Sequence, residues 1–394
     1  MSASGVATAI ERIIGDTALM RSLVAITDPA SLARELAQLG ATEAAWLQVL
    51  SGRTMPGTGS REWRSIDAPP RGWLPLRLFE EHDGWHVEWV HFLFQPLASP
   101  FFEDDAMRAR AHPLNRLLRC ATPVEAVAKF AETDQPDLLV FHMSRCGSTL
   151  VAQMLAALDR VTVLSEPPPF DQALRLYLAG EVDARIVRGM AAALAPDVGE
   201  RARLRAIKLD AWHTLSLDRV IALFPLARAV FLFRDPVEVL VSLGRVPGMH
   251  AAKGVLPLET YGLPDSSSVD PTDFAAMVIT EIARRGLDAA ERHGVQLCDY
   301  ADLPAAVCDT FLPECGIEPT QEEARRLADV AERHAKAPGQ TFASDARAKH
   351  DAAGADLLER VRNFGLGDLH AALSHTARAQ HRRRDRTSPV PPVA

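Results

Sequence analysis

The sequence has no uninterrupted apolar run long enough to cross a membrane. Its most apolar stretch, residues 220–233, is broken by Pro225 and Arg228, whereas a membrane-spanning helix needs about 20 apolar residues. The N-terminus has no basic region, and Glu11 and Arg12 interrupt its apolar residues, so it does not resemble a secretory signal peptide. We therefore expect a cytoplasmic protein without a membrane span.

Cysteine is scarce, and its spacing fits neither a disulfide framework nor a zinc site. The five cysteines are odd in number and form no CxxC pair. This pattern favours free thiols in a reducing compartment. No cluster of metal-ligating residues is evident along the sequence, and we expect no bound metal. The cysteines are Cys120, Cys146, Cys298, Cys308 and Cys315.

The chain has no excess of positive charge. It contains 43 basic and 51 acidic residues, which gives a net charge of -8. This balance argues against a general nucleic-acid or membrane-surface binder. A phosphate-bearing ligand would need cations placed locally. Hydrophobic residues make up 47% and charged residues 24% of the chain, as in a globular protein with a sizeable core.

The N-terminal third is rich in tryptophan, with five of the six in the chain. Strands are predicted at residues 74–81 and 85–94, on either side of an Asp83-Gly84 turn that is typical of a β-hairpin. We expect an α+β region over residues 1–135 with this hairpin at its aromatic core.

Short apolar runs alternate with helical segments after residue 136, which predicts a mostly parallel sheet with crossover helices. We expect an α/β domain over residues 136–380, with a three-layer, P-loop-like arrangement. Residues 381–394 are basic and Pro-rich, and we expect a disordered tail. Ligands in such sheets bind beyond the carboxyl ends of the strands. The predicted strands are residues 138–143, 161–164, 204–209, 229–233 and 295–298.

The first candidate anion site is the segment Ser144-Arg145-Cys146-Gly147-Ser148-Thr149, which follows a strand and opens a helix. Free N–H groups and the helix dipole favour an anion at a helix N-terminus. In this segment glycine permits close approach, the hydroxyls donate and arginine adds positive charge. An ordinary strand-to-helix turn with Ser and Thr caps is the alternative. A Walker A loop needs G-x-x-x-x-G-K-[ST]; here its first Gly and its Lys are missing, which disfavours an ATP- or GTP-hydrolysing enzyme.

The second candidate anion site begins at Arg234, the last residue of an apolar strand. Asp235 is a plausible N-cap of the following helix, and Glu238 has the spacing of a capping box. Ser242 lies two turns further on the same face as Asp235, so Arg234 and Ser242 are placed to bind one anion together. The alternative is a salt-bridged Arg at the sheet edge and a serine on the helix surface.

The two elements together resemble the sulfotransferases that use 3′-phosphoadenosine 5′-phosphosulfate (PAPS). Residues 145–149 are similar to that family's phosphosulfate-binding loop, and Arg234 followed by Ser242 has the spacing of its 3′-phosphate site. Residues 297–303 are similar to the family's strand ending in Tyr-Glu-Asp-Leu, although Ala301 replaces the Glu. The resemblance covers residues 137–316. An Arg at 145, where cytosolic members have Lys, is closer to the tyrosyl-protein and bacterial carbohydrate types.

The resemblance implies roles for the residues of both elements. PAPS would be the donor and adenosine 3′,5′-bisphosphate (PAP) the product. The loop residues Ser144 to Thr149 would hold the 5′-phosphosulfate, and Arg234 with Ser242 the 3′-phosphate. Lys208, at a strand end, would contact the sulfuryl group or the leaving phosphate, as Arg145 would. The basic residue Lys349 could reach the 3′-phosphate, although a solvated surface charge is the simpler interpretation.

Three residues are candidates for the base that accepts the acceptor's proton. Glu166 follows a predicted strand, and members of the similar type have a Glu at a comparable place. Asp210 stands where cytosolic members have a catalytic His, and His213 is the third candidate. His142 lies inside a strand and is interpreted as a core histidine.

The sequence thus predicts an enzyme that transfers a sulfuryl group from PAPS to a hydroxyl or amine by in-line transfer. The acceptor could be a small molecule, glycan, lipid or peptide. Two alternatives stay open, namely a P-loop-type nucleotide kinase or NTPase and a non-catalytic protein that binds PAPS or PAP.

Overall fold

The computed structural model describes residues 3–51, 64–69, 72–95, 97–133, 135–194, 204–256, 269–334, 337–341 and 346–387. The chain forms two compact units, one of residues 1–135 and 166–200 and the other of residues 136–165 and 201–394. The expected domain division at residues 135 and 380 stays a prediction. None of the helices in the described part of the chain is both long and apolar enough to span a bilayer.

In its described residues, the first unit contains helices, a small sheet and 3₁₀ segments. Up to residue 130 its elements are α1 (Ala3–Gly15), α2 (Thr17–Val24), α3 (Pro29–Leu36), a 3₁₀ turn (Ala37–Leu39), α4 (Glu43–Ser51), β1 (Arg64–Ser65), β2 (Trp73–Glu81), β3 (Gly84–His91), α5 (Phe102–Ala111), α6 (Asn115–Leu118), β4 (Cys120–Pro123) and a 3₁₀ helix (Val124–Phe130).

The sheet of the first unit has the order β1-β4-β3-β2. β2 and β3 pair antiparallel from Trp73↔His91 to Glu81↔Gly84, which confirms the predicted hairpin. Gly84 has a φ of 123°, a conformation that favours glycine at this tight connection. β4 adds to β3 antiparallel, and β1 adds to β4 parallel.

A buried carboxylate lies within this sheet. The Glu88 side chain is fully buried and accepts bonds from Arg77 Nε at 2.7 Å and from Arg119 Nε at 2.6 Å. A buried charge is tolerated when it is paired in this way.

The second unit is built around a parallel sheet. Its elements, together with the two helices that belong to the first unit (α8 and α9), are β5 (Leu138–His142), α7 (Ser148–Ala156), β6 (Val161–Ser165), α8 (Pro168–Ala179), α9 (Ala184–Ala193), β7 (Leu204–Lys208), a 3₁₀ helix (Ala211–Ser216), α10 (Leu217–Leu223), β8 (Arg228–Phe233), α11 (Pro236–Arg245) and a 3₁₀ turn (Met249–Ala251).

The C-terminal part of the second unit is mainly helical. Its elements are α12 (Pro271–His293), β9 (Gln296–Asp299), 3₁₀ and π turns (Tyr300–Asp302 and Val307–Phe311), a helical turn (Leu312–Glu314), α13 (Gln321–Ala331), β10 (Arg333–His334), β11 (Ala337–Thr341), α14 (Ala346–Ala352), α15 (Ala355–Asn363) and α16 (Leu366–Thr387). α16 continues into the segment expected to be a disordered tail, and residues 388–394 lie outside the described residues.

Five strands make the main sheet in the order β6-β7-β5-β8-β9, and every pair is parallel. This confirms the expected α/β fold, and all five predicted strands are present with shifts of no more than one residue at their ends. β5 is central and all five of its residues are buried. Its carboxyl end therefore opens at the middle of the sheet edge, where ligands bind in such folds.

α16 covers the open edge of β9. The Gln380 Oε1 accepts the Leu297 N–H at 2.9 Å, and its Nε2 donates to the Val295 carbonyl at 2.9 Å. A side-chain amide thus occupies the place of a further strand on this edge. Exposed strand edges promote association between chains, and this amide pairs two of the backbone groups at the edge.

Within the first unit, α9 approaches the 3₁₀ helix Val124–Phe130 very closely. A Cβ added at Gly189 would lie 2.1 Å from the Val127 carbonyl oxygen. Because this neighbour is backbone, it cannot move aside without shifting the helix. Only glycine therefore permits this packing distance.

Gly189→Ala is expected to destabilise the protein by about 1–3 kcal/mol through overpacking. Urea denaturation measures the change in the free energy of unfolding. The matched control is Gly244→Ala in α11, where an added Cβ meets nothing within 4 Å and where alanine is the better helix former. Equal stability of the two variants would contradict the close approach.

Candidate functional site

The loop between β5 and α7 has an unusual backbone. Ser144, Arg145 and Gly147 have φ values of 75°, 53° and 83°. Successive N–H groups in a turn can form a concavity that binds anions. Ser148 and Thr149 follow at the start of α7 and are buried. Ser144 and Arg145 thus adopt a backbone conformation that residues with side chains rarely take.

Gly147 is enclosed by the segment that follows β9. An added Cβ would lie 2.8 Å from Leu303 Cδ1 and 2.9 Å from Tyr300 Cδ2. The glycine is therefore required both by its positive φ and by the close approach of these side chains. Two side chains of the segment 297–303, Tyr300 and Leu303, therefore hold the loop on this side.

Arg145 joins the first predicted site to the second. Its Nε donates to Ser242 Oγ at 2.8 Å, and the Arg234 Nη1 donates to the Arg145 carbonyl at 3.3 Å. Ser242 lies on α11 and Arg234 directly follows β8. The two elements, separated by about 90 residues in sequence, thus meet at one place on the sheet edge.

Arg234 is almost completely buried in this cluster, with 5% of its surface exposed. Its Nε donates to Glu238 Oε2 at 2.8 Å, and its guanidinium carbon lies 3.8 Å from the centre of the Tyr300 ring. Asp235 caps α11 by accepting the Val237 N–H at 2.8 Å. The capping box expected for Glu238 is therefore wrong, because its carboxylate pairs with Arg234 instead.

α14 packs against α11 and brings further polar residues to this cluster. His350 Nε2 lies 3.6 Å from Asp235 Oδ2 and 3.9 Å from Glu238 Oε1. Lys349 is buried, with 4% of its surface exposed, which differs from the solvated charge that the sequence favoured. Its burial follows from the packing of a helix that the sequence did not place.

Lys208 is the last residue of β7 and is almost completely buried, with Nζ 3.4 Å from Ser165 Oγ. Its charge acts on the loop after β5. Burial raises the pKa of the Cys146 thiol to about 12; backbone hydrogen bonds with Met143 and Ser148, and then the charges of Lys208 and Arg234, oppose this rise only in part. Cys146 is therefore a protonated, buried thiol in the loop, between two cations.

Asp210 and His213 form a capping box at the start of the 3₁₀ helix after β7. The Asp210 carboxylate accepts the His213 N–H, and His213 Nδ1 accepts the Asp210 N–H at 3.2 Å. Both candidate bases thus have a structural task. Glu166 directly follows Ser165 at the end of β6, with a φ of 49°, and it begins the segment that belongs to the first unit.

One group in the cluster has the ligand spacing of a metal site. Asp235, Glu238 and His350 can each offer one atom within 4.8 Å of the others. Arg234 already bonds Glu238, and its charge would repel a cation at this place. The donor set around the loop instead consists of guanidinium groups, an ammonium, hydroxyls and backbone N–H groups, which is the chemistry of an anion site.

The sequence had no signal for Tyr300, Glu238 and His350 as members of the site. Glu238 was read as a helix cap and Tyr300 only as part of a family-like segment. Their contacts with Arg234 and Asp235 arise where β8, β9 and α14 meet, so only the packed fold reveals them.

The chain is similar to two solved bacterial structures. One is the sulfotransferase STF9 from Mycobacterium avium, with 16% sequence identity and a TM-score of 0.34, over 51% of this chain and 69% of that chain. The other is the sulfotransferase domain from the curacin biosynthetic pathway, with 16% identity and a TM-score of 0.35, over 63% of this chain and 98% of that chain. No family model matches the chain, and neither does any curated protein. The likeness is too low to establish a family.

An acid–base pair stabilises the carboxyl end of β9 beside this cluster. His370 Nε2 lies 3.7 Å from Asp299 Oδ2, and the His370 ring meets Phe233 edge-on at 5.7 Å between centres. The Asp299 carboxylate raises the pKa of His370 above its usual value of 6.5, and burial opposes the rise. Burial would raise the pKa of Asp299, but the nearby His370 and the hydrogen bonds from Ala301 and Ser374 lower it overall.

His370→Gln is expected to destabilise the protein more at pH 6 than at pH 8.5. Because the folded pKa of His370 is raised, its contribution is fully present below pH 6.5 and is lost as the pH rises through the folded value. Urea denaturation at both pH values measures the difference from the parent protein. His375→Gln, on the exposed face of the same helix, is the control. A larger loss at pH 8.5 would contradict this assignment.

Proposed function

We propose that the chain is a sulfotransferase that uses PAPS and passes its sulfuryl group to a hydroxyl or amine. The observation that carries the proposal is the junction of two anion-binding elements, in which Arg145 Nε bonds Ser242 Oγ and Arg234 bonds the Arg145 carbonyl. Each element alone is compatible with an ordinary helix start. Their meeting at the carboxyl edge of a parallel sheet supports a ligand with two phosphate groups.

The residues at this edge fit a nucleotide with a 5′-phosphosulfate and a 3′-phosphate. Loop residues 144–149 would hold the 5′ group with hydroxyls and with backbone N–H groups other than that of Ser144, which bonds His142. Arg234 and Ser242 would hold the 3′-phosphate, and Lys349 adds a cation on the adjacent α14. When bound, the nucleotide supplies the activated sulfuryl group.

The chain's own residues would assist transfer through charge and proton exchange. Lys208 and Arg145 would place positive charge where negative charge develops on the leaving phosphate. Glu166 would accept the proton of the acceptor hydroxyl or amine; it directly follows Ser165, whose hydroxyl lies 3.4 Å from Lys208 Nζ. Asp210 is the second candidate base, but its carboxylate already caps the helix that follows β7.

Binding of adenosine 3′,5′-bisphosphate tests the donor. The parent protein is expected to bind the bisphosphate at least tenfold more tightly than AMP, because Arg234 and Ser242 contribute charge-assisted bonds to the 3′-phosphate. Arg234→Ala and Ser242→Ala should reduce this preference by about 10- to 100-fold and about 3- to 10-fold, respectively. Isothermal titration calorimetry with the bisphosphate, AMP and ATP measures it.

The matched control is Arg285→Ala on α12, whose guanidinium also pairs with a glutamate four residues away, Glu281, at 2.7 Å. It should leave the preference unchanged. Equal binding of AMP and the bisphosphate by the parent protein would refute the donor assignment. Preferential, magnesium-dependent ATP binding would favour a nucleotide kinase or NTPase.

Replacement of the candidate base distinguishes between an enzyme and a non-catalytic binding protein. Glu166→Gln is expected to lower kcat by about 100- to 10,000-fold, because a general base is lost, while the bisphosphate affinity stays unchanged. Asp210→Asn should change kcat only a few-fold, because Asn can still cap the helix. An acceptor screen with mass-spectrometric detection of sulfated products provides the assay.

The opposite ranking of the two variants would assign the base to Asp210. Full activity in both would remove the base mechanism, and bisphosphate binding without product in any acceptor class would favour the non-catalytic alternative.

A further inference from the structure

We propose that His142 is a positioning residue that sets the backbone of the anion loop through its two ring nitrogens. His142 is the last residue of β5, is 4% exposed and has no part in the chemistry described above. The inference rests on the proposed function only where it concerns nucleotide affinity. Its structural part, the control of the Ser144 N–H, stands separately.

The two hydrogen bonds of the ring determine its protonation. The Nδ1 atom lies 3.1 Å from the Ser144 backbone nitrogen, which can only donate, so Nδ1 accepts. The Nε2 atom lies 2.8 Å from the Leu209 carbonyl, which can only accept, so Nε2 carries the hydrogen. His142 is therefore a neutral imidazole with the proton on Nε2, and both nitrogens are used.

The ring connects the loop to the strand that carries Lys208. Leu209 is the residue after Lys208, and its own N–H donates to the Val140 carbonyl of β5 at 3.0 Å. The N–H of Leu209 is thus bound by the β5 backbone, and its carbonyl is bound by the His142 ring. The ring therefore fixes the position of the loop after β5 relative to the end of β7.

The bond from the Ser144 N–H to His142 lies at the part of the loop whose backbone conformation is unfavourable for residues with side chains. Ser144 and Arg145 both have left-handed φ values although both have side chains, and such residues persist when the surroundings hold them. The Ser144 N–H would point elsewhere if the turn relaxed to an ordinary conformation. His142 is the acceptor that keeps the turn in the form of an anion concavity.

The same device occurs in the first compact unit. His112 Nδ1 accepts the Leu114 N–H at 3.2 Å, and its Nε2 lies 3.1 Å from the Val24 carbonyl. There the ring holds a turn between two helices. His112 therefore offers a control with the same pair of bonds outside the anion loop.

Two substitutions separate the two bonds of His142. In His142→Asn the amide oxygen can take the place of Nδ1 and accept the Ser144 N–H, whereas the Leu209 bond is lost. In His142→Gln the longer side chain can donate to the Leu209 carbonyl, whereas the Ser144 bond is lost. His142→Phe loses both bonds and keeps the ring volume.

Amide hydrogen exchange of residues 144–149, followed by mass spectrometry on the full chain, is the first measurement. Exchange should become at least tenfold faster in His142→Gln and His142→Phe and should change less than threefold in His142→Asn. His112→Phe should leave these amides unchanged. This readout needs no nucleotide, so it tests the inference even if the proposed function is wrong.

The affinity for adenosine 3′,5′-bisphosphate is the second measurement. We expect a loss of about tenfold, or about 1.4 kcal/mol, in His142→Gln and His142→Phe, and less than threefold in His142→Asn and His112→Phe. Thermal melting of each variant shows whether it is folded; if His142→Phe is not, the comparison of Asn with Gln decides. Equal exchange and equal affinity in the Asn and Gln variants would overturn the inference. Absence of bisphosphate binding by the parent protein, with the exchange pattern as expected, would refute the proposed function alone.

Discussion

The candidate site depends on the contacts made by the buried guanidinium of Arg234. It bonds the carbonyl of Arg145 in the loop after β5, pairs with Glu238 on α11 and stacks on Tyr300 after β9. One side chain thus joins three neighbouring strand ends of the sheet. Because a buried charge is costly unless fully paired, these contacts fix Arg234 in one orientation, and with it the position of the loop.

The order of the parallel strands places these contacts at one edge. β5 lies between β7 and β8, so the loop after β5 has Lys208 on one side and Arg234 on the other. Their charges act on the same buried thiol, Cys146. Two cations therefore lie on either side of the loop at the centre of the sheet edge, in a chain whose net charge is -8. Local placement, rather than overall composition, makes this edge suitable for an anion.

Local patterns predicted the parts of the fold that depend on neighbours in sequence. Apolar runs predicted the five strands of the main sheet to within one residue at each end. Contacts made by the fold were not predictable in this way. The spacing of Glu238 equally suits a helix cap, and nothing in residues 346–352 indicates that His350 meets Asp235. Residues 166–200 join the N-terminal unit through contacts such as that of Gly189, which no periodicity indicates.

The cover that Gln380 gives to β9 has a consequence for biosynthesis. The amide of Gln380 is made 83 residues after the backbone group of Leu297 that it binds. At about 5–20 residues per second, the outer edge of the sheet would stay without this partner for about 4–17 seconds on the ribosome. A nascent chain in this interval presents an open strand, so protection by a chaperone would matter most between the synthesis of β9 and that of α16.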